Sequence, residues 1–206
     1  MARPRKQDSL KIPERAVEEG LNILRTQPDR FSLLEIARRI GCSGPALYAH
    51  FTNRDDLLDH IRSAVHATMA EEKRQRFAGM TVAPLARLRL CGQDYVAFAQ
   101  TNPALYRLIF APPHATGDGI CLDSAVIAPL AAGVRAAQTQ GHAAGADADQ
   151  IARMMWFTVH GAIMMALDSQ LPGPAPDRWQ RGHDAVDTVM ALLTSQPEQE
   201  KDHGRT

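Results

Sequence analysis

The sequence predicts an all-α protein: a small N-terminal three-helix unit with a helix-turn-helix, linked by a long helix to a C-terminal helical bundle. Three observations lead there. Apolar residues recur at three- and four-residue spacing in the segments between Pro13 and Ser195, no useful run alternates with period two, and Gly, Pro and capping residues punctuate the chain at helix-like intervals.

Each element follows from local residues. Val17, Leu21 and Leu24, with Ala16, Gly20 and Ile23 beside them, form one face of a helix over 13–24 that ends before Pro28. Ser32 and Glu35 form a capping box for a two-turn helix striped by Leu33, Ile36, Ala37 and Ile40 and stopped at Gly41. Ser43 caps a third, short helix with Pro45 in its first turn, and Leu47 and Phe51 face inward. Asn53 caps a longer helix to about Phe77, with Asp55 and Asp56 against its dipole and Leu57, Ile61 and Val65 on one face. Further helices are expected over 84–100, 103–110, 119–140, 148–171 and 176–195, with a loop at Pro112, Pro113, Gly117 and Gly119 and a turn at 171–176. The expected organisation is a basic arm over 1–10, a helix-turn-helix domain over 11–55, a larger helical domain over 56–196, and a disordered tail over 197–206.

Composition narrows the class. At 206 residues the chain suits one compact domain or two small ones at roughly 150 residues per domain, and 45% hydrophobic with 22% charged residues excludes a disordered chain. The longest uncharged apolar-rich run, Met154 to Leu167, includes His160 and falls short of the roughly 20 residues of a membrane span. The basic start MARPRKQDSL is not followed by the apolar stretch of a secretory signal, so a cytoplasmic location is expected. Cys42, Cys91 and Cys121 match no disulfide or zinc spacing and read as reduced, mostly buried residues. No HExxH, phosphate loop or Gly-x-Ser-x-Gly occurs, and the single Glu-x-x-His pair, Glu200 and His203, lies in the expected tail. Neither enzyme chemistry nor a cofactor or metal is expected.

Net charge is zero but uneven: residues 1–76 carry 14 Lys and Arg against 11 Asp and Glu, or +3, and residues 77–206 carry 9 against 12, or −3. The lead with Arg3, Arg5 and Lys6 is either a solvated tail or an arm that contacts phosphate or enters a minor groove. Two short helices about the Gly41-Cys42-Ser43 turn, braced on both sides, are the helix-turn-helix arrangement whose second helix enters the major groove. With Leu47 and Phe51 buried, Pro45, Tyr48 and Ala49 point outward, flanked by Gly44 and His50. Tyr48 suits a phosphate bond and a thymine methyl, or is simply a surface aromatic. Arg54, at a helix N-terminus, suits a phosphate, or pairs with Asp55 or Asp59.

The stretch FSLLEIARRIGCSGPALYAHFTNRDDLL, residues 31–58, resembles the DNA-binding domain of TetR-type transcriptional regulators: Ile36-Ala37, Gly41, Leu47-Tyr48, Phe51 and Arg54 to Leu58 occur in register. Residues 95–110 and the WFTVHG of 156–161 resemble the subgroup whose C-terminal domain carries a Trp-His-Gly signature. The resemblance implies a regulator, commonly a repressor, that binds palindromic operator DNA as a homodimer and answers to a small apolar or aromatic effector. It implies a recognition helix with Ser43, Gly44, Pro45, Tyr48, Ala49 and His50, and phosphate contacts at Ser32 and Arg54. Gly44 and Ala49 depart from the common pattern, so base reading falls to Tyr48, Pro45, the exposed Leu34 and DNA shape, with the Arg3 and Arg5 arm adding affinity. The departures also leave open a helical dimeric module without useful DNA affinity.

In such regulators two C-terminal helices per subunit form the dimer. Ile163, Leu167, Val186, Val189, Met190 and Leu193 are the candidates here, although an apolar stripe serves a domain core equally well. A second set, Tyr95, Phe98, Tyr106, Phe110, Met155, Trp156, His160 and Met164, suits an adaptable effector pocket or ordinary core. His160 is either a ligand contact or a core histidine. A pocket there is expected to act on DNA through the helix over 53–77 alone.

Overall fold

The computed structural model describes residues 11–111, 123–143 and 145–194. These form nine α-helices: α1 (Ile12–Thr26), α2 (Leu33–Ile40), α3 (Gly44–Tyr48), α4 (Arg54–Arg76), α5 (Pro84–Thr101), α6 (Pro103–Phe110), α7 (Ala128–Gln138), α8 (Ala148–Leu167) and α9 (Ala175–Thr194), with no strand among the described residues. A single π-helical turn, Asp123–Ile127, leads into α7. The all-α expectation therefore holds, although the helix expected over 148–171 ends at Leu167 and, among the described residues, the one expected over 119–140 is the π-helical turn followed by α7. The basic arm with Arg3, Arg5 and Lys6, the loop at 112–119, Cys121 and the tail over 197–206 lie outside the described residues.

The chain divides into two compact units, the first drawing on Met1–Gly79 and Phe98–Cys121, the second on Met80–Ala97 and Leu122–Thr206. The first unit thus extends beyond residue 55, because α4 and α6 pack into it: α1 is covered by α2, α4 and α6, and α6 also lies on α4. Its core runs through Ile23, Ile36, Leu47, Phe51, Leu57, Ile61 and Leu105, all essentially inaccessible to solvent. Burial of such side chains stabilises by about 1.5–3 kcal/mol each, which is why so small a unit can hold a fixed shape.

The second unit is built on α8, which packs along both α7 and α9. Glycines let helices approach here. A Cβ on Gly92 of α5 would lie 2.9 Å from Val186 of α9, and one on Gly182 would lie 3.0 Å from Val96. The same pair of helices carries a polar seam in which Asp187 accepts from Arg89 at 2.8 Å and from Gln93 at 2.9 Å, while His183 pairs with the Gln93 carbonyl. No described helix is long and apolar enough to cross a membrane.

Candidate nucleic-acid interface

Three side-chain caps set the starts of α2, α3 and α4. Ser32 Oγ accepts from the Glu35 N–H at 3.1 Å, Ser43 Oγ from the Ala46 N–H at 3.3 Å, and Asn53 Oδ1 from the Asp56 N–H at 2.9 Å. The capping box expected at Ser32 is made in one direction, because the Glu35 carboxylate is taken by Arg38 at 2.7 Å and Arg39 at 2.7 Å. At α4 the third-residue carboxylate does reach back, but past the cap: Asp56 Oδ2 accepts from the Thr52 N–H at 2.8 Å and from its hydroxyl at 3.0 Å. Gly41 ends α2 with φ 71°, a left-handed conformation that glycine adopts without a Cβ clash, and so makes the tight turn into α3.

The first helix of the motif, α2, is clamped to α1 by charge. Arg39 bridges Glu35, Glu19 of α1 at 3.0 Å and Gln27 at 3.0 Å, and Arg15 of α1 donates to the Ile40 carbonyl at the end of α2. The two guanidiniums of Arg38 and Arg39 hold the Glu35 carboxyl down at about 2, well below the usual carboxylate range.

On that clamped frame α3 buries Leu47 and, just beyond its end, Phe51, each 1% exposed, which turns the other side of the helix outward. Tyr48 is 58% exposed, Ser43, Pro45, Ala49 and His50 are exposed, and Gly44 is half-buried. Leu34, on the first turn of α2, is 77% exposed with its neighbours Leu33 and Ile36 in the core. The Arg54 guanidinium sits over the Phe31 ring at 5.1 Å, which brings the N-terminus of α4 beside residue 32 and the N-terminus of α2. Its contact with Asp55 is long, at 3.8 Å, and exposed. Sequence reasoning missed the stacking on Phe31; an aromatic at the residue before the Ser32 cap is the signal for it.

Cys42, in the turn, and Cys91 are free thiols, half-buried where deeper burial was expected, and burial raises the Cys42 thiol above its ordinary value.

The C-terminal candidates fall on both units. Phe98, Tyr106 and Phe110 belong to the first, where Phe98 and Phe110 pack on its core and Tyr106 is wholly buried in ring contact with Phe110 at 5.0 Å. Tyr95, Met155, Trp156, His160 and Met164 belong to the second. There Trp156 and His160, one turn apart on α8, stack at 4.4 Å with an 11° interplanar angle, and Trp156 also packs on Ile127, Ala131 and Ala152. Burial lowers the His160 pKa, favouring the neutral ring. Met155 is buried, whereas Tyr95, Trp156, His160 and Met164 are half-buried.

The residues expected at a dimer seam are mostly covered within the chain itself: Ile163, Val186, Val189, Met190 and Leu193 are buried and Leu167 is half-buried. All six lie on α8 and α9, which pack together, and Val186 also meets α5 at Gly92. What sequence reasoning missed is the opposite side of α8, where Met154, Phe157 and Met165 are exposed at three- to eight-residue spacing, with Leu192 exposed on α9. Two Met and one Phe in register with the outward-facing Thr158 are the available signal.

A family model described as "Bacterial regulatory proteins, tetR family" matches residues 28–61, and one described as "Tetracyclin repressor-like, C-terminal domain" matches residues 88–189. The chain belongs to the TetR family. TetR-family chains are transcription regulators with an N-terminal DNA-binding domain, and the helix-turn-helix described above is that domain. Solved structures agree on the fold. A TetR-family transcriptional regulator from Pectobacterium atrosepticum has a TM-score of 0.72 at 17% identity, covering 95% of this chain and 100% of its own. A protein of unknown function from Rhodococcus sp. RHA1 has 0.70 at 24% identity, covering 89% and 96%. SmeT, the repressor of the Stenotrophomonas maltophilia multidrug efflux pump SmeDEF, has 0.67 at 21%, covering 92% and 93%. Among curated proteins none matches.

Proposed function

We propose that this TetR-family regulator binds a palindromic operator as a homodimer, acts as a repressor, and is released by a small apolar or aromatic effector. The observation that carries the DNA reading is the exposed Tyr48 on α3, anchored by buried Leu47 and Phe51, with Ser32, Ser43 and Arg54 at three capped helix starts. Each of those starts offers unpaired backbone N–H groups, and Arg54 adds a full positive charge, so phosphate is held there while Tyr48, Pro45, Ala49 and His50 lie against base edges. Leu34 extends the apolar contact toward a thymine methyl. Arg3, Arg5 and Lys6 would add phosphate or minor-groove contacts.

For the dimer, the exposed stripe of Met154, Phe157 and Met165 on α8, with Leu192 on α9, is the surface left for a second copy. Gly161 lies within that stripe, and a Cβ there would meet nothing within 4 Å, so a partner helix can approach closely. For the effector, the half-buried Trp156 and His160 stack, with Met164 one turn further along α8, supplies an apolar wall with polar tips. The Trp-His-Gly subgroup rests on the same residues. SmeT, of like fold, has been solved as a triclosan complex.

Beside the helix over 53–77, the path of the chain supports a second route from effector to DNA. The chain leaves the first unit after Gly79 and returns to it at Phe98, and α6 then packs on both α1 and α4. Effector binding can therefore act on the first unit through α5 and α6 as well as through α4. A coupling of about 1–3 kcal/mol lowers operator affinity roughly 5- to 150-fold.

Gel-shift titrations with two variants test the assignment. Arg54→Ala should weaken binding to all sequences alike and reduce the salt slope by about one, and Tyr48→Ala should also blur base preference. Equal loss of preference from both contradicts these roles.

A further inference from the structure

Midway along α4 the chain buries a cation. Arg62 is 4% exposed; its Nε donates to the Leu108 carbonyl at 3.0 Å and its Nη1 to Asp59 at 2.6 Å, while Nη2 is buried without a hydrogen-bond partner. One turn on, the half-buried His66 faces the Ile109 backbone carbonyl, and its Nε2 is likewise buried without a partner. A carbonyl can only accept, so the nitrogen facing Ile109 carries the hydrogen and Nε2 of the neutral ring presents a lone pair. Two adjacent carbonyls at the end of α6 therefore hold Arg62 and His66 on one face of α4, each with one polar atom left over. A buried polar atom without a partner costs about 1–3 kcal/mol, and a guanidinium more, so the pair is destabilising unless something meets it.

We propose that Arg62 Nη2 and His66 Nε2 form a binding site for a carboxylate group of a small molecule, within the first unit and apart from the Trp156 wall. The chemistry selects this class. One oxygen accepts from Arg62 in a charge-assisted bond, and the second accepts from His66 once the imidazole has taken up a proton from solvent. Two donors match the two oxygens of a carboxylate, whereas a tetrahedral oxyanion would leave further oxygens without partners. Arg62 is already partnered by Asp59, so the protonated ring supplies the single positive charge that balances the carboxylate. The other groups near the site do not compete: α6 adds Arg107, which is exposed, and the buried Tyr106, and α1 faces the core with Ile12, Ala16, Gly20, Ile23 and Leu24. In the free protein burial is the main cause that lowers His66, with Arg62 adding to it, so the ring is neutral at neutral pH.

The test follows the His66 imidazole by NMR on histidine-labelled full chain, with the signal assigned by its loss in His66→Gln. Acetate is the probe because it carries the carboxylate and almost nothing else, with chloride at matched ionic strength and acetamide as controls. Acetate should raise the proton affinity of His66 about tenfold or more, chloride and acetamide should not, and Arg62→Lys, which keeps the charge beside Asp59 but loses Nη2, should abolish the effect. An acetate titration of His66 indistinguishable from chloride overturns the proposal, as does an undiminished shift in Arg62→Lys. Operator binding by the free protein is measured separately, so failure here leaves the DNA reading standing.

Discussion

Replacing Gly20 by alanine probes how α1 is seated on α4, and so how the helix-turn-helix is held. A Cβ at residue 20 would lie 2.5 Å from Ile61 Cδ1 and 3.3 Å from Phe31 Cε2. Carbon atoms rest at about 3.5–4.0 Å, so the new methyl overlaps Ile61 by roughly 1 Å. Ile61 is fully buried, so its Cδ1 gives way only by displacing other side chains of the core. Overpacking of this kind costs about 1–3 kcal/mol, against about 1 kcal/mol gained by alanine over glycine inside a helix, so the net expectation is a loss of about 0–2 kcal/mol. A double-mutant cycle isolates the contact. Ile61→Val removes Cδ1 and alone costs about 0.5–1.5 kcal/mol, but in the Gly20→Ala background it also relieves the overlap. Urea unfolding of the four proteins should therefore show a favourable coupling of about 1–3 kcal/mol. Additive effects, with Gly20→Ala stabilising by the full helix-propensity gain, would refute the close approach of α1 and α4.

Three further outcomes are expected. Phe157→Glu, on the exposed stripe of α8, should shift the sedimentation coefficient from dimer to monomer at micromolar concentration while leaving helix content intact; a persistent dimer places the seam elsewhere. The Glu35 carboxylate lies below its ordinary value when folded, so its ion pairs contribute fully above pH 4.5 and are lost as pH falls toward about 2. Acid titration should accordingly show wild type losing stability relative to Glu35→Gln across that window, and parallel curves would show that Arg38 and Arg39 do not hold the group. Trp156→Ala should lower affinity for any effector found by screening while operator binding by the free protein stays within about twofold, whereas loss of folding would make the Trp156 and His160 stack plain core.

Features written within four residues of one another are legible in the amino-acid sequence alone. Ser32, Ser43 and Asn53 cap because a short side-chain oxygen reaches the N–H three residues on, whatever lies elsewhere in the chain. Gly41 ends α2 for an equally local reason, and the burial of Leu47 and Phe51 follows from their four-residue spacing and so exposes Tyr48. What depends on distant partners is not legible. Glu35 has a choice between its own helix start and two arginines, and charge decides it. Ile163, Val186 and Val189 are apolar positions that would serve a subunit seam or a core, and only the folded second unit shows that the chain covers them itself, Val186 in part by Gly92 of α5. The same holds for α6, whose sequence is merely apolar until its seat on α1 and α4 is seen, and for Arg62, an ordinary residue of a helix face until Leu108 is brought to it.

The central claim is that the exposed face of α3 reads DNA as one half of a two-fold pair. Selection of binding sites from random duplex DNA with the purified full chain, at stated salt, tests it most directly. The expected product is a palindrome bound by a dimer, with half-sites about one helical turn, roughly 34 Å, apart or slightly more, and with enrichment lost in Tyr48→Ala. Recovery of no sequence above background, or of a single asymmetric site bound by a monomer, would contradict it.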